Sequence, residues 1–273
     1  MHCLLDADSI VFRCGFAVEH KKHKFFIKGE EHLGPFQVYE YKKEIPKEFK
    51  DDPELSYEEE VSVEPLQNAL HLVRQEIEGI ISATDATSYQ VYIKGKGNFR
   101  EKISVTRVYK GNRDVTHRPK YEHEIRHYLK EFWKAEEVDG EEVDDRCAIE
   151  QTKNPTGTII ASIDKDFNQV VGWKFNFMKK EKYWVDEAQA ERNFYLQLLT
   201  GDASDNIQGI SKVGPVAAAE ILGEARASRD MYLHCKMAYM NHYGPSIGNE
   251  IMTEMANLVY LRRSEDDVWQ PPK

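Results

Sequence analysis

The chain has 273 residues, 41% hydrophobic and 31% charged, enough to bury a substantial core as one large domain or two small ones. Its formal net charge is −10, and no apolar run approaches the roughly 18 residues of a membrane span, so no membrane helix is expected. The four cysteines, Cys3, Cys14, Cys147 and Cys235, lack CxxC spacing. This disfavours a zinc site or a disulfide framework and fits reduced thiols of a cytoplasmic protein.

The first residues, MHCLLDADSIVF, lack the basic flank, long apolar core and cleavage site of a signal peptide. HCLLD reads as a short buried strand that ends in acid and is followed by a turn. Residues 20–63 are polar, with strand-like alternation in KFFIKG and FQVYEY and then an acidic tract, DDPELSYEEE. We read them as an inserted hairpin and loop with too little apolar content for a separate core.

VEPLQNALHLVRQEIEGIISA places Leu66, Leu70, Val73, Ile77 and Ile80/Ile81 at helical spacing, and SYQVYIKG follows as a strand. KYEHEIRHYLKEFWKA is helical again, with Ile125, Leu129, Phe132 and Trp133 expected on one side. A second β–α–β run follows, with DDRCAIEQ as helix and TIIASIDKD and VVGWKFNF as strands. From Glu187 the pattern is helical, broken at Gly201, Gly209, Gly214, Gly223 and Gly244.

Strands alternating with helices predict an α/β fold with a mainly parallel central sheet over residues 1–186 and a helical region over 187–273. In such sheets functional residues gather at the carboxyl ends of the strands. Charge is unevenly spread. Between Lys94 and Lys134, twelve lysines and arginines face five aspartates and glutamates inside an acidic protein, which suggests a path for a polyanion.

The acids fall at element boundaries. Asp6 closes the first strand, and Glu142, Asp144 and Asp145 stand near a helix start, with Glu142 and Asp145 at i,i+3. Asp164 and Asp166 lie two apart at a strand end, and Asp202 and Asp205 are again at i,i+3. Taken singly, each suits a helix cap or a polar loop. Together they could converge only at electrostatic cost, which a hard cation such as Mg²⁺ or Mn²⁺ relieves. Two such ions about 4 Å apart are a common arrangement for phosphodiester hydrolysis. No cluster of His and Cys ligands points to zinc.

Next comes IQGISKVGPVAAAEIL, an apolar residue, Gly, a short linker, Gly and a helix of small residues. Gly209 and Gly214 would permit a tight turn whose N–H groups, with the following helix start, bind backbone phosphate without reading sequence.

GDASDNIQGISKVGPVAAAEIL closely resembles the helix–three-turn–helix segment of the 5′→3′ exonuclease and flap endonuclease family, especially its phage members. The resemblance extends to DADSIVF, YKGNR, EVDD, SIDKDF and LVYLRR, and so spans nearly the whole chain apart from 20–63. It implies a PIN-like α/β core, a helical arch within 100–134 and a helix–hairpin–helix DNA-binding region. It also implies two divalent-metal sites, Glu142, Asp144 and Asp145 with Asp6 close by, and Asp164, Asp166, Asp202 and Asp205. A monovalent ion, K⁺, would be held by main-chain carbonyls of Leu199, Thr200, Gln208, Ile210 and Val213. Lys110 and Arg113 match residues that approach the scissile phosphate. Tyr109 would stack on an unpaired base, and Arg100 would contact phosphate.

Two departures stand out. Family members often have an acid at the end of the second strand, where this chain offers only Lys94, Gly95 and Lys96, and whether Asp8 compensates is open. After GxGP the family often has Lys, whereas Val216 and Ala217 stand here, leaving phosphate contact to the backbone and Lys212. The implied activity is Mg²⁺- or Mn²⁺-dependent 5′-nuclease action on DNA ends and flaps by a monomer in the cytoplasm of a phage's bacterial host. RNA:DNA hybrids are left open as substrates. Three rivals stay open: a non-catalytic structure-specific DNA-binding protein, a single-domain toxin-type ribonuclease, and a small-molecule phosphohydrolase.

Overall fold

In the computed structural model, which describes residues 1–113 and 117–273, the first strand, β1 (His2–Asp6), lies inside a six-stranded sheet. Its parallel neighbours are β5 (Ser88–Lys94) and β7 (Thr158–Ala161), with Leu4 in register with Gln90 and Ile160. Beyond them lie β6 (Glu136–Val138) and β8 (Gly172–Asn176), and β9 (Glu181–Val185) pairs antiparallel at one edge. The inner strands read as near-continuous apolar runs because helices cover parallel strands. Cys3, Leu4, Leu5, Val91, Ile93, Ile159 and Ile160 are accordingly buried. The fold is mixed α/β with a mainly parallel sheet.

The chain divides into two compact units. The first, Met1–Ser9, Ile77–His117 and Leu129–Lys273, contains the whole six-stranded sheet. It also contains the helices after residue 187, so the helical region is grouped with the sheet. The second comprises Ile10–Glu76 and Arg118–Tyr128.

Two helices that open and close the early chain cross from one unit to the other: α1 (Asp8–Ala17), where a turn was expected, and α3 (Leu66–Thr84). Between them, β2 (Glu19–Ile27), β3 (Gln37–Tyr39), the single-turn α2 (Lys47–Lys50) and β4 (Leu55–Val63) form the insert. Its strands make an antiparallel sheet in the order β3-β2-β4. Six residues of the acidic tract, 55–60, therefore belong to a nine-residue strand, which the sequence reading missed. Its glutamates pair diagonally with lysines of β2, Lys21 with Glu59 at 2.7 Å and Lys24 with Glu60 at 3.1 Å. Phe25, Tyr39, Phe49 and Tyr57 also form a small aromatic cluster around the buried Phe25.

Within the expected arch, α4 (Arg100–Ile103) is one turn long, and α5 (Glu122–Trp133) is the next helix among the described residues. Residues 114–116 of that expectation lie outside the described residues. Ile125 and Leu129 are buried on α5 as expected, but Phe132 is 73% exposed.

The helix α6 (Val143–Lys153) packs on β1, β5 and β7 through Val143, Cys147 and Ala148. Four further helices, α7 (Glu187–Thr200), α8 (Pro215–Leu222), α9 (Ser228–Tyr243) and α10 (Pro245–Val259), share a second core centred on Tyr195, Leu198, Tyr239 and Met252. At the start of α7, Asp186 accepts the Gln189 N–H while Gln189 accepts that of Asp186, a reciprocal cap.

Candidate metal centre and nucleic-acid site

The carboxyl ends of β1 and β7, the start of α6 and the loop after α7 surround one cavity of about 270 Å³. Seven of the eight expected acids line it: Asp6, Glu142, Asp144, Asp164, Asp166, Asp202 and Asp205. Lys94, Lys110 and Arg113 line it too, as do Asp8 and Ser9.

Each acid is held by the local backbone. Asp6 ends β1, where its two oxygens accept the Ser162 hydroxyl at 2.9 Å and the Asp8 N–H at 3.2 Å. Burial, followed by repulsion from Asp8 and Asp164, pushes its carboxyl up to about 7. Asp144, in the first turn of α6, is pushed well above the carboxylate range by burial and then by Asp6, Asp164 and Glu142. Asp164 caps a 3₁₀ turn at Lys165–Gln169 by accepting the Asp166 N–H at 2.8 Å. Burial, with Asp202 and Asp205 nearby, raises it. Burial and then Asp164 push Asp166 up to about 7, although the Gln197 amide bonds to it.

The opposite wall is different. Burial alone would raise the Asp205 carboxyl, but Lys110, Tyr109 and Arg113 outweigh it and hold the group below its usual value. The Tyr109 hydroxyl lies 2.6 Å from Asp205 and 2.9 Å from Glu142, and Arg113 donates to Asp205 at 2.5 Å. The Lys110 ammonium pairs with Glu142 and stands 3.5 Å from Asp205. Backbone contacts fasten the YKGNR turn to the 202–206 turn: the Lys110 N–H donates to the Asp205 carbonyl at 2.9 Å, and the Asn112 amide to that of Ala203 at 2.7 Å. One oxygen of Asp202 accepts both the N–H and the hydroxyl of Ser204, which shapes the turn.

Three expectations need correction. Arg100 cannot contact phosphate from its observed position. It is 1% exposed, paired two-fold with Asp145 and bonded to the carbonyls of Leu258 and Tyr260. Asp145 does not reach the cavity, since Arg100 and the N–H groups of Glu142 and Arg262 surround its oxygens. Tyr109 is buried with its hydroxyl between two acids, so its ring is not available to stack on a base.

The glycine turn has one obligatory glycine and one optional. At Gly209, φ is +59°, and a Cβ would meet the Gly201 nitrogen and the Thr200 carbonyl carbon at 2.4 Å. Gly214 caps α8 in extended conformation with open space around it. Of the five carbonyls expected around K⁺, those of Leu199 and Ile210 already accept N–H groups, from Ile210 and Val213, whereas the expectation for Thr200, Gln208 and Val213 rests on their place in the turn. Lys212 is exposed and left-handed at φ +66°.

Sequence reasoning passed over Ser162, Ser204 and Gln197. A hydroxyl inside an acid-rich turn was the available signal for the two serines. Gln197, a helical residue five positions from the acid closest to it in sequence, Asp202, offered none. Asp8 is a separate matter. Both its oxygens accept the Lys94 N–H, at 3.2 and 3.1 Å, which sets an acid over the end of β5 where the sequence has none.

By chemistry the donor set fits a hard divalent cation, because its ligands are carboxylate oxygens whose mutual repulsion a cation would relieve. Among the described residues, no three acids, histidines or cysteines are already placed to hold one ion together. Glu142 and Asp205 are turned instead to the cations of the YKGNR turn.

No protein-family model matches the chain, and no curated protein matches its sequence. Several solved structures are similar in fold. One is the bacteriophage T5 flap endonuclease in a pseudo-enzyme–product complex with DNA and metal ions, at 14% identity and a TM-score of 0.48, covering 94% of this chain and 98% of that one. A T5 5′-exonuclease with bound zinc is 14% identical at a TM-score of 0.47, covering 95% and 100%. A mutant of the T5 5′-exonuclease is 12% identical at 0.46, covering 95% and 99%. Among the described residues, no helix is long and apolar enough to cross a membrane.

Proposed function

We propose that the chain is a metal-dependent 5′-nuclease acting on DNA ends and flaps, with Mg²⁺ or Mn²⁺ held by the acids of the cavity. The observation that carries this reading is the convergence of seven acids from four separate stretches on one cavity whose wall also carries Lys110 and Arg113. A small-molecule phosphohydrolase would need the acids but has no use for the basic stretch from Lys94 to Lys134.

When bound, the divalent ions supply Lewis-acid polarisation of the phosphate and of the attacking water. The chain's own residues do the rest. Ser162 and Ser204 fix the orientation of Asp6 and Asp202. Lys110 and Arg113 would leave their carboxylate partners for the oxygens of the scissile phosphate and stabilise charge that develops there. The Gly209 turn and the start of α8 would hold backbone phosphate of the duplex, with Lys212 beside them and K⁺ within the turn. A 5′-phosphate and a 3′-hydroxyl are the expected products, in a phage setting and with the protein as a monomer.

The test is cleavage of an internally labelled 5′-flap duplex and a blunt duplex in Mg²⁺, in Mn²⁺ and in EDTA, beside Asp166→Asn. Metal-dependent release from the 5′ side that the variant abolishes is the expected result. A second reading, a non-catalytic DNA-binding protein, draws on the pairing of Glu142 and Asp205 with cations and on the missing acid of β5. Flap binding without cleavage in either metal would establish that reading and overturn the first.

A further inference from the structure

We propose that a second cavity beside the acid site receives an unpaired nucleobase of the substrate strand, across an apolar rim formed by Val105 and Val108. The inference rests on the nucleic-acid reading above and specifies which part of the substrate is gripped. The cavity, about 370 Å³, lies between α4, the end of α10 and the last residues of the chain. Phe99, Ile103 and Tyr260 give it apolar and aromatic walls above the buried Trp269, with Lys102 and Arg262 beside the acids Glu254 and Asp267. The Arg262 guanidinium stacks 3.7 Å from the Phe99 ring centre. Planar apolar walls with a stacked guanidinium suit a planar heterocycle better than an alkyl chain, and the two acids disfavour a free anion.

The two cavities share a wall. Leu258, Val259 and Leu261 line the acid cavity, whereas Asn257, Tyr260 and Arg262 line the second. The segment from Phe99 to Arg113 runs from one to the other, with Phe99, Lys102 and Ile103 at the second cavity and Tyr109, Lys110 and Arg113 at the first. Along that path Val105 is 85% exposed, Val108 is 75% exposed, and Arg107 between them is exposed as well.

These valines are presented on a fastened backbone. The Glu254 carboxylate accepts the N–H groups of Val105 and Thr106, both at 2.7 Å, and the Thr106 hydroxyl. The Asn206 amide donates to the Val108 carbonyl at 2.9 Å. Apolar groups held outward and flanked by cations match the two chemistries of a single strand, base faces and phosphates. A duplex hides its base faces, so the partner is an unpaired stretch next to the scissile phosphate.

The experiment uses a duplex with a 5′ single-stranded tail in which one abasic residue is moved position by position from the junction. Binding is read by fluorescence anisotropy in EDTA and single-turnover cleavage in Mg²⁺, for the wild type and for Val105→Ser/Val108→Ser. One or two positions near the junction should weaken binding or slow subsaturating cleavage about tenfold when abasic. The double variant should lose a similar factor on the tailed duplex and none on a blunt one. The abasic scan leaves the protein intact, so it decides the matter even where the variant folds poorly. A flat scan with cleavage retained overturns this inference and leaves the nuclease reading standing. Absence of both DNA binding and cleavage overturns both.

Discussion

The guanidinium of Arg100 and the carboxylate of Asp145 form a two-fold pair, at 2.5 and 3.0 Å, with 1% and 0% of the two residues exposed. Asp145 comes from α6 beside the acid cavity, and Arg100 also grips two carbonyls at the end of α10. The pair thus joins the start of α6 to the chain that leaves α10. Removing either partner strands a buried charge, which costs about 3–5 kcal/mol. Asp145→Ala should therefore lower the melting temperature by about 10 °C in EDTA, where no metal is bound. A variant that keeps its melting temperature but loses divalent-ion affinity would return Asp145 to the role of ligand.

Gly209 and Gly214 should respond oppositely to alanine. A Cβ on Gly209 collides with backbone that cannot swing aside, and φ +59° adds strain. Gly209→Ala should cost more than about 2 kcal/mol in urea unfolding, and Gly214→Ala should stay within about 0.5 kcal/mol. Equal losses at the two positions would contradict the backbone packing of Gly201 against Gly209.

Much of this was legible in the sequence, for reasons that differ by element. The parallel strands announce themselves because burial on both faces demands runs such as TIIA, and the acids stand at strand ends because the connecting turns begin there. β4 was hidden because most of its side chains are exposed, and its pairing with β2 is revealed only by the register. Arg100, Asp145 and Tyr109 were misplaced for a related reason. A charged or polar residue near a motif reads as a surface group, and nothing local tells that Asp145 waits for Arg100, 45 residues away. The separation of Asp145 from the cavity-facing Asp144 turns on one helical step.

Lys174 gives a pH signature in one direction. Lys174 is 2% exposed, its ammonium donating to the side-chain amide oxygen of Gln151 and the main-chain carbonyls of Val170 and Gly172, and burial, with Arg263 nearby, pushes it down to about 7. The unfolded chain keeps the proton up to about pH 10, so between about pH 7 and 10 the unfolded state binds more protons and stability rises with pH. The slope from this one group is at most about 1.4 kcal/mol per pH unit. Urea midpoints of the wild type and Lys174→Met should therefore converge as pH rises from 7 to 9.5. Parallel curves would mean that the three carbonyls keep the ammonium charged throughout.

The acid cavity gives the opposite sign. Asp6 and Asp166 are pushed up to about 7 by burial and then by neighbouring acids, above the unfolded value of about 3.9. Between those values the folded state binds more protons, so the metal-free protein loses stability as pH rises from about 4 through 7. A divalent ion that binds only the folded state reverses the loss, by about 2.7 kcal/mol when its concentration is a hundred times the dissociation constant. Melting curves at pH 5.5 and 8, each with EDTA and with a saturating excess of Mg²⁺, should show the larger stabilisation at pH 8. Asp6→Asn in EDTA should melt above the wild type at pH 8, because it removes repulsion with no ion to lose. A variant that melts lower there, beside a wild type indifferent to Mg²⁺, would mean that the acids are held by hydrogen bonds such as Ser162 to Asp6 and require no cation.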